Sequence, residues 1–306
     1  MAGKRRGGKK KRRVGWKIAL ALAICAALLC GYMYACARIV HVRYATVHLS
    51  DLPAAFDGTT VLFVSDFDMR SEAGAREAAR LMQTLSALEP DILLLGGDYA
   101  SPTLLDALEG RDAQSAGVAS RAVGARHAFF AALESFYAPF GKFAVAGEDD
   151  VATEQLASSM ALGGVRLLTD ESVRIERDGA SLYVAGLSPS GDAARAAETV
   201  RAQDCVIAFA HSPNRFTQAL TAEADGGGAW ADAILAGGTH GGQIRLGNRF
   251  MLSLDEHERR YLSGWRKEGG VFLLTSQGVG CEYVNARLGT RAEAHLITLR
   301  CAPEGS

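Results

Sequence analysis

The stretch Ala233-Ile234-Leu235-Ala236-Gly237-Gly238-Thr239-His240-Gly241-Gly242-Gln243 decides how this chain is read. A short apolar run bounded by turn-formers reads as a buried strand. It ends in a glycine-rich turn that carries one imidazole. Glycines let the backbone bend and come close to a bound group. His240 is therefore expected at the mouth of a sheet, where open α/β folds hold their ligands. The same design recurs along the chain. Residues 61–64 run into Asp66 and Asp68, and residues 91–95 into Gly96-Gly97-Asp98. Residues 142–146 run into Gly147-Glu148-Asp149-Asp150, and residues 205–210 into His211.

A single aspartate at a strand end is most often a turn or helix cap. Acidic or imidazole groups at five such ends are not explained by independent capping. If the ends converge, several carboxylates and two imidazoles meet. Carboxylates packed that closely resist ionising together. A divalent cation removes the conflict. The candidate ligands are Asp66, Asp68, Asp98, Glu148, His211 and His240. An oxygen-rich set of this kind favours Mn²⁺ or Mg²⁺, and its imidazoles leave Fe²⁺ or Zn²⁺ open.

The surrounding pattern supports a layered fold. Residues 72–88 have helical periodicity and stop at Pro90, which gives a strand–helix–strand unit. All-apolar strands on both sides of it imply a sheet covered on both faces. Residues 38–49 alternate, with Val40, Val42 and Tyr44 set against polar neighbours, and predict a half-buried strand near a sheet edge. The polar, small-residue segment 109–124 is expected as a loop before a helix over 125–140. Residues 165–185 read as strands of more antiparallel character, and 193–201 as a helix. Residues 294–299 form a closing strand with His295 exposed.

The 306 residues carry 33 basic and 34 acidic side chains, a net charge of −1, but the charge is unevenly placed. Eight basic residues between Lys4 and Arg13 form a head over residues 1–17. Residues 18–37 are all apolar, glycine or cysteine, and a run of ~20 such residues can span a bilayer. The basic head predicts a cytoplasmic N-terminus, with everything after Arg38 outside the cytoplasm. A single-pass protein of the cell membrane follows, with the lipid bilayer as a partner. Ala35-Cys36-Ala37 also has the form of a signal cleavage site, but the apolar run exceeds the ~7–15 residues of a signal core. Attraction to anionic lipid accounts for the basic head more simply than nucleic acid does. No basic patch or aromatic platform beyond it points to nucleic acid. Three of the six cysteines lie in the apolar run, so no disulfide framework is expected. Oligomeric state and substrate identity leave no signature.

In their order, Asp66-x-Asp68, Gly97-Asp98, Gly147-Glu148-Asp149-Asp150, His211 and Gly238-Thr239-His240-Gly241-Gly242-Gln243 resemble the calcineurin-like metallophosphoesterases. The membrane-anchored bacterial branch is most similar, and Ser276-Gln277-Gly278-Val279-Gly280 resembles a later segment of it. The resemblance runs over residues 60–299. It implies an α/β fold, a four-layered α-β-β-α sandwich over residues 60–302. A juxtamembrane strand and linker, 38–59, would join it to a transmembrane helix. It further implies a centre of one or two divalent cations that hydrolyses a phosphomono- or diester; tethering outside the membrane would suit a lipid- or envelope-linked one. Asp66, bridging Asp98, His211 and His240 match family ligands directly. Asp68 stands where the family has a histidine, Glu148 where it has an asparagine ligand, and Gly238 where it has another histidine. Asp66, Asp68, Asp98 and His240 would form one site, and Asp98, Glu148 and His211 the other. Asp149 stands at the catalytic histidine position. Ionised, it would repel a phosphate; it could give a proton only with a raised pKa. Two functions follow: an active hydrolase, or a catalytically impaired pseudoenzyme that serves as a membrane-tethered metal- or ligand-binding module. A purely structural anchor without metal is a third.

Overall fold

Apolar runs separated by turn-formers assemble into two six-stranded sheets. The computed structural model of the chain describes residues 6–150, 153–247, 249–250 and 254–303. Lys4 and Arg5 of the basic head lie outside the described residues. In chain order the first strands are β1 (His41–Leu49), β2 (Thr60–Val64), β3 (Ile92–Leu95), β4 (Lys142–Ala144) and β5 (Val165–Leu167). Next come β6 (Glu171–Arg177), β7 (Ala180–Leu187), β8 (Cys205–Ala210) and β9 (Ala233–Ala236). A small hairpin, β10 (Arg245–Leu246) and β11 (Arg249–Phe250), precedes β12 (Gly264–Glu268), β13 (Val271–Thr275) and β14 (Glu293–Cys301). The helices are α1 (Arg6–Arg38), α2 (Glu72–Leu85), α3 (Leu104–Leu108) and α4 (Ala116–Ala132). They continue with α5 (Thr153–Leu162), α6 (Ala193–Ala197), α7 (Phe216–Thr221) and α8 (Glu256–Arg260).

The first sheet has the order β1-β14-β2-β3-β4-β5, and the second β12-β13-β9-β8-β7-β6. Strands β2 to β5 are mutually parallel, as are β7, β8, β9 and β13. The C-terminal ends of β2, β3 and β4 therefore share one edge, and those of β8 and β9 share another. Of the strands over 165–185 expected to be antiparallel, β6 and β7 pair so, whereas β5 runs parallel to β4 in the first sheet.

Strand alternation sends Phe63, Leu94, Val145, Phe209 and Leu235 into a core between the sheets. Their neighbours Leu62, Val64, Leu93 and Leu95 point the other way, against Met82 of α2, Phe129 and Phe130 of α4, and Met160 of α5. On the far side, Val206, Ala208 and Ile234 meet Ala196 of α6 and Phe216 of α7. The result is the four-layered α-β-β-α sandwich. Each buried Phe in it contributes about 3–5 kcal/mol, judged by the usual cost of Phe→Ala.

Four local readings need correction. Tyr44 is exposed rather than packed. In β1, Val42 faces the outer helical layer, whereas Val47 and Leu49 face the inter-sheet core. Strand β1 thus packs on both faces. The segment expected to be a loop contains most of α4, because small residues let it lie close to α2 and α5 without an apolar stripe. Thr103 and Asp106 form a capping box that starts α3, and Arg111 and Arg121 neutralise the buried Asp106. The helix expected over 193–201 ends at Ala197.

His295 is buried rather than exposed. Its Nε2 lies 3.3 Å from Glu293 Oε1. Gln277 N donates to that same oxygen at 3.0 Å, and Arg43 Nε to Oε2 at 3.1 Å. Burial alone would raise the Glu293 pKa, but these partners outweigh it and bring it down to about 2.

Helix α1 includes the apolar stretch Gly15–Arg38, 24 residues of mean hydropathy 2.2, long and apolar enough to cross a membrane. Its last turn is docked on the sandwich. Met33 O accepts from Arg287 N at 3.0 Å and Cys36 O from Ala292 N at 3.3 Å. Arg38 pairs with Glu77 of α2 at 2.7 Å.

A depressed carboxylate pKa stabilises the fold above the unfolded value and loses that effect as pH falls through the folded value. Glu293 should thus contribute about 3 kcal/mol above pH ~4.5, vanishing towards pH ~2. Denaturant titrations at stepped pH should show Glu293→Gln less stable than the parent at pH ~6, with the gap closing at low pH.

Candidate metal centre

The turns after β2 and β3 are laced together: Asp66 N donates to Gly97 O and Asp68 N to Asp98 O, each at 3.0 Å. Four of the expected ligands sit in the left-handed region, Asp66 (φ 58°), Asp68 (φ 48°), Asp98 (φ 52°) and His240 (φ 49°). Such conformations are costly for residues with a Cβ and cluster at functional sites. Close packing then fixes the carboxylates. A Cβ on Gly147 would lie 1.9 Å from Asp98 Oδ1, and one on Gly278 2.4 Å from Asp66 Oδ2.

The structure brings Asp66, Asp98 and His211 together, with ligand atoms all within 4.8 Å of one another. His211 Nδ1 is 2.8 Å from Gly96 O and donates its proton there, which turns Nε2 to the carboxylates. Nε2 is 3.1 Å from both Asp98 Oδ2 and Glu148 Oε2, and 4.0 Å from Asp66 Oδ1. Asp66 is oriented by Ser65 Oγ at 2.6 Å and Gly238 N at 2.8 Å. His240 Nε2 lies 3.6 Å from Asp66 Oδ1 and 3.6 Å from Asp68 Oδ2. Asp68 Oδ2 is buried and has no hydrogen-bond partner. Asp149 is half-buried beside the group, its N–H 3.4 Å from Asp98 Oδ1.

Burial raises the Asp68 carboxyl well above its ordinary range, and the nearby Asp98 and Asp66 raise it further. Burial also lifts Asp98 to about 7, against the pull of His211. Burial alone would lower His211, but Asp98 and Glu148 outweigh it and hold the imidazole well above its usual value. Glu148 falls below its ordinary value because His211 overcomes its burial. His240 is lowered to about 4 by burial, with Arg287 adding to the effect and Asp66 opposing it. Asp149 is raised by burial and then by Asp150. An orphaned carboxylate oxygen beside crowded acids and a correctly turned imidazole fits a divalent cation. Asp66, Asp98 and His211 would hold it, with Glu148 in reach. His240 is differently placed. Arg287 Nη2 donates towards its Nδ1 at 3.4 Å, so a neutral ring keeps its proton on Nε2, facing the acids.

No family model matches the chain. It is 29% identical over 293 residues to the uncharacterized protein YpbG of Bacillus subtilis (strain 168), covering 94% of this chain and 98% of that one. It is 25% identical over 315 residues to a Bos taurus transmembrane protein with metallophosphoesterase domain, covering 96% of this chain and 65% of the relative. The uncharacterized metallophosphoesterase YkuE of Bacillus subtilis (strain 168) is 22% identical over 281 residues, covering 88% and 90%. Two of these relatives are named for a metallophosphoesterase domain. A solved archaeal phosphodiesterase overlaps 72% of this chain and 84% of its own at a TM-score of 0.34 and 9% identity. Haemophilus influenzae NAD nucleotidase overlaps 72% of this chain and 45% of its own at 0.39 and 14%.

Several contacts that hold this centre escaped the sequence reading. Asp150, grouped with the strand-end acids, instead faces inward. It pairs with buried Arg126 at 3.3 Å and accepts from Gly147 N at 3.0 Å, which bolts down the loop carrying Glu148 and Asp149. Arg287 is fully buried and donates to the carbonyls of Gln277, Gly278 and Gly280. Gln243 accepts from Glu282 N at 2.7 Å and donates to Glu282 O at 2.9 Å, strapping that loop to the His240 turn. A lone Arg in a loop gives no local hint of such a role; only the glycine-rich turns around it did.

Gly147→Ala should displace the Asp98 carboxylate. We expect bound cation to fall about tenfold or more, read by metal analysis after equilibrium dialysis, with the fold retained by circular dichroism.

Proposed function

We propose that the chain is a membrane-tethered, metal-dependent phosphoesterase that cleaves a phosphomono- or diester at the Asp66–Asp98–His211 centre. The observation that carries this reading is the convergence of those three groups, with His211 Nδ1 committed to Gly96 O and Nε2 turned inward. The printed names of the bovine relative and of YkuE support it. A bound cation would supply positive charge for a phosphoryl oxygen and acidify a water molecule. The chain's own residues then position and balance. Asp98 and Glu148 flank His211, Ser65 and Gly238 N fix Asp66, and Asp149 stands beside Asp98 with its N–H 3.4 Å from Asp98 Oδ1. Helix α1 would hold the centre outside the cytoplasm, its basic end inside.

A second reading is a cation-binding module without turnover. Its support is that Arg287 commits His240 Nδ1, that Gly238 offers no side chain, and that an acid, Asp149, borders the phosphate position. The full chain in detergent, assayed with p-nitrophenyl phosphate and bis(p-nitrophenyl) phosphate, separates the two. We expect turnover with Mn²⁺ or Mg²⁺, loss on chelation, and a drop of about a hundredfold or more in Asp98→Asn. A bound cation without turnover would favour the second reading. Neither cation nor turnover would defeat both.

A further inference from the structure

A cleft of about 300 Å³ runs from Asp68 to the last residues of α1, between α2 and the loop carrying Val279 to Asn285. We infer that it is the binding groove for a membrane phospholipid, whose anionic headgroup enters the Asp68 end while its glycerol and first acyl carbons line the α1 end. The inference deepens the phosphoesterase reading and rests on it for the claim that the bound phosphoester is also cut.

Three independent features point to that occupant. The first is position. The cleft is lined by Arg38 at the end of the apolar stretch, four residues beyond exposed Tyr34, or about 6 Å along a helix. Backbone bonds from Arg287 and Ala292 to Met33 and Cys36 hold that turn against the sandwich, so the groove opens at the depth where a bilayer has its headgroups. The second is the wall. Phe67, Ala78 and Leu81 give it an apolar side that a small water-borne phosphoester has no use for. The third is charge. Arg70 lines the groove with its Nη atoms held by Asn285 Oδ1 and Cys281 O, while its buried Nε has no partner. Arg38 adds a second cation, restrained only by its partly exposed pair with Glu77.

The test uses the full chain, reconstituted in vesicles of phosphatidylcholine doped with phosphatidylglycerol, then released into chelator-containing detergent for native mass spectrometry. Ala73 is exposed on the rim of the groove, so Ala73→Trp fills it without touching the core. We expect the parent to retain one phosphatidylglycerol. Ala73→Trp should weaken retention about tenfold, and Arg38→Gln should weaken it in the same direction. Equal retention by parent and Ala73→Trp would overturn the groove, as would complete displacement of the lipid by inorganic phosphate, since recognition would then end at the anion. Retention without turnover in the parent would defeat the phosphoesterase reading and leave the groove standing. Turnover without retention would do the reverse.

Discussion

Crowded negative charge is the constraint on which this structure turns. Asp66, Asp68 and Asp98 are brought to the converging edges of two sheets, where water cannot separate them. Each sits at a positive φ, so the backbone itself resists the arrangement. Burial and mutual repulsion push Asp68 and Asp98 towards their neutral forms. The fold answers with His211 between two carboxylates and with buried arginines just behind: Arg287 under the His240 turn and Arg126 under the 147–150 loop. What remains uncompensated is Asp68 Oδ2, an acceptor with no donor. A divalent cation bound beside it would balance that charge.

The parallel strands at the middle of each sheet produce that convergence. Once β2, β3 and β4 run parallel, their ends present Asp66, Asp98 and Glu148 along one edge. Strands β8 and β9 do the same for His211 and His240. The glycines at these ends are forced by closeness, because a Cβ on Gly147 or Gly278 would fall on a carboxylate oxygen. The docking of the last turn of α1 ties the apolar helix to the same frame. Arg287 bonds α1 through its backbone and the carbonyls around His240 through its side chain. The centre and the end of the apolar helix are thus parts of one rigid connection.

The strands that carry the centre were legible because each is a short apolar run closed within two residues by Gly, Asp or His, a local pattern that needs no partner to be read. The first half of the helix over 116–132 was not, since small residues such as Gly117, Ala119 and Gly124 give no apolar period and its helicity comes from packing on α2 and α5. His295 was misread for a related reason. Its burial depends on Glu293, Gln277 and Arg43, and Arg43 is 250 residues from Glu293. The division of the acids at 148–150 was equally hidden. Three consecutive carboxylates look alike in sequence, and only Arg126 from α4 shows that Asp150 faces inward while Glu148 faces His211.

The most direct test of the central claim is the thermal stability and cation content of the full chain before and after chelation, with Mn²⁺, Mg²⁺ and Zn²⁺ restored one at a time. A cation that relieves this charge must stabilise the folded state by mass action. The account predicts at least one cation per chain and a melting temperature that falls on chelation and recovers with the preferred ion. An unchanged melting temperature with no bound cation would contradict it, because the carboxylates would then be balanced by protons and arginines alone.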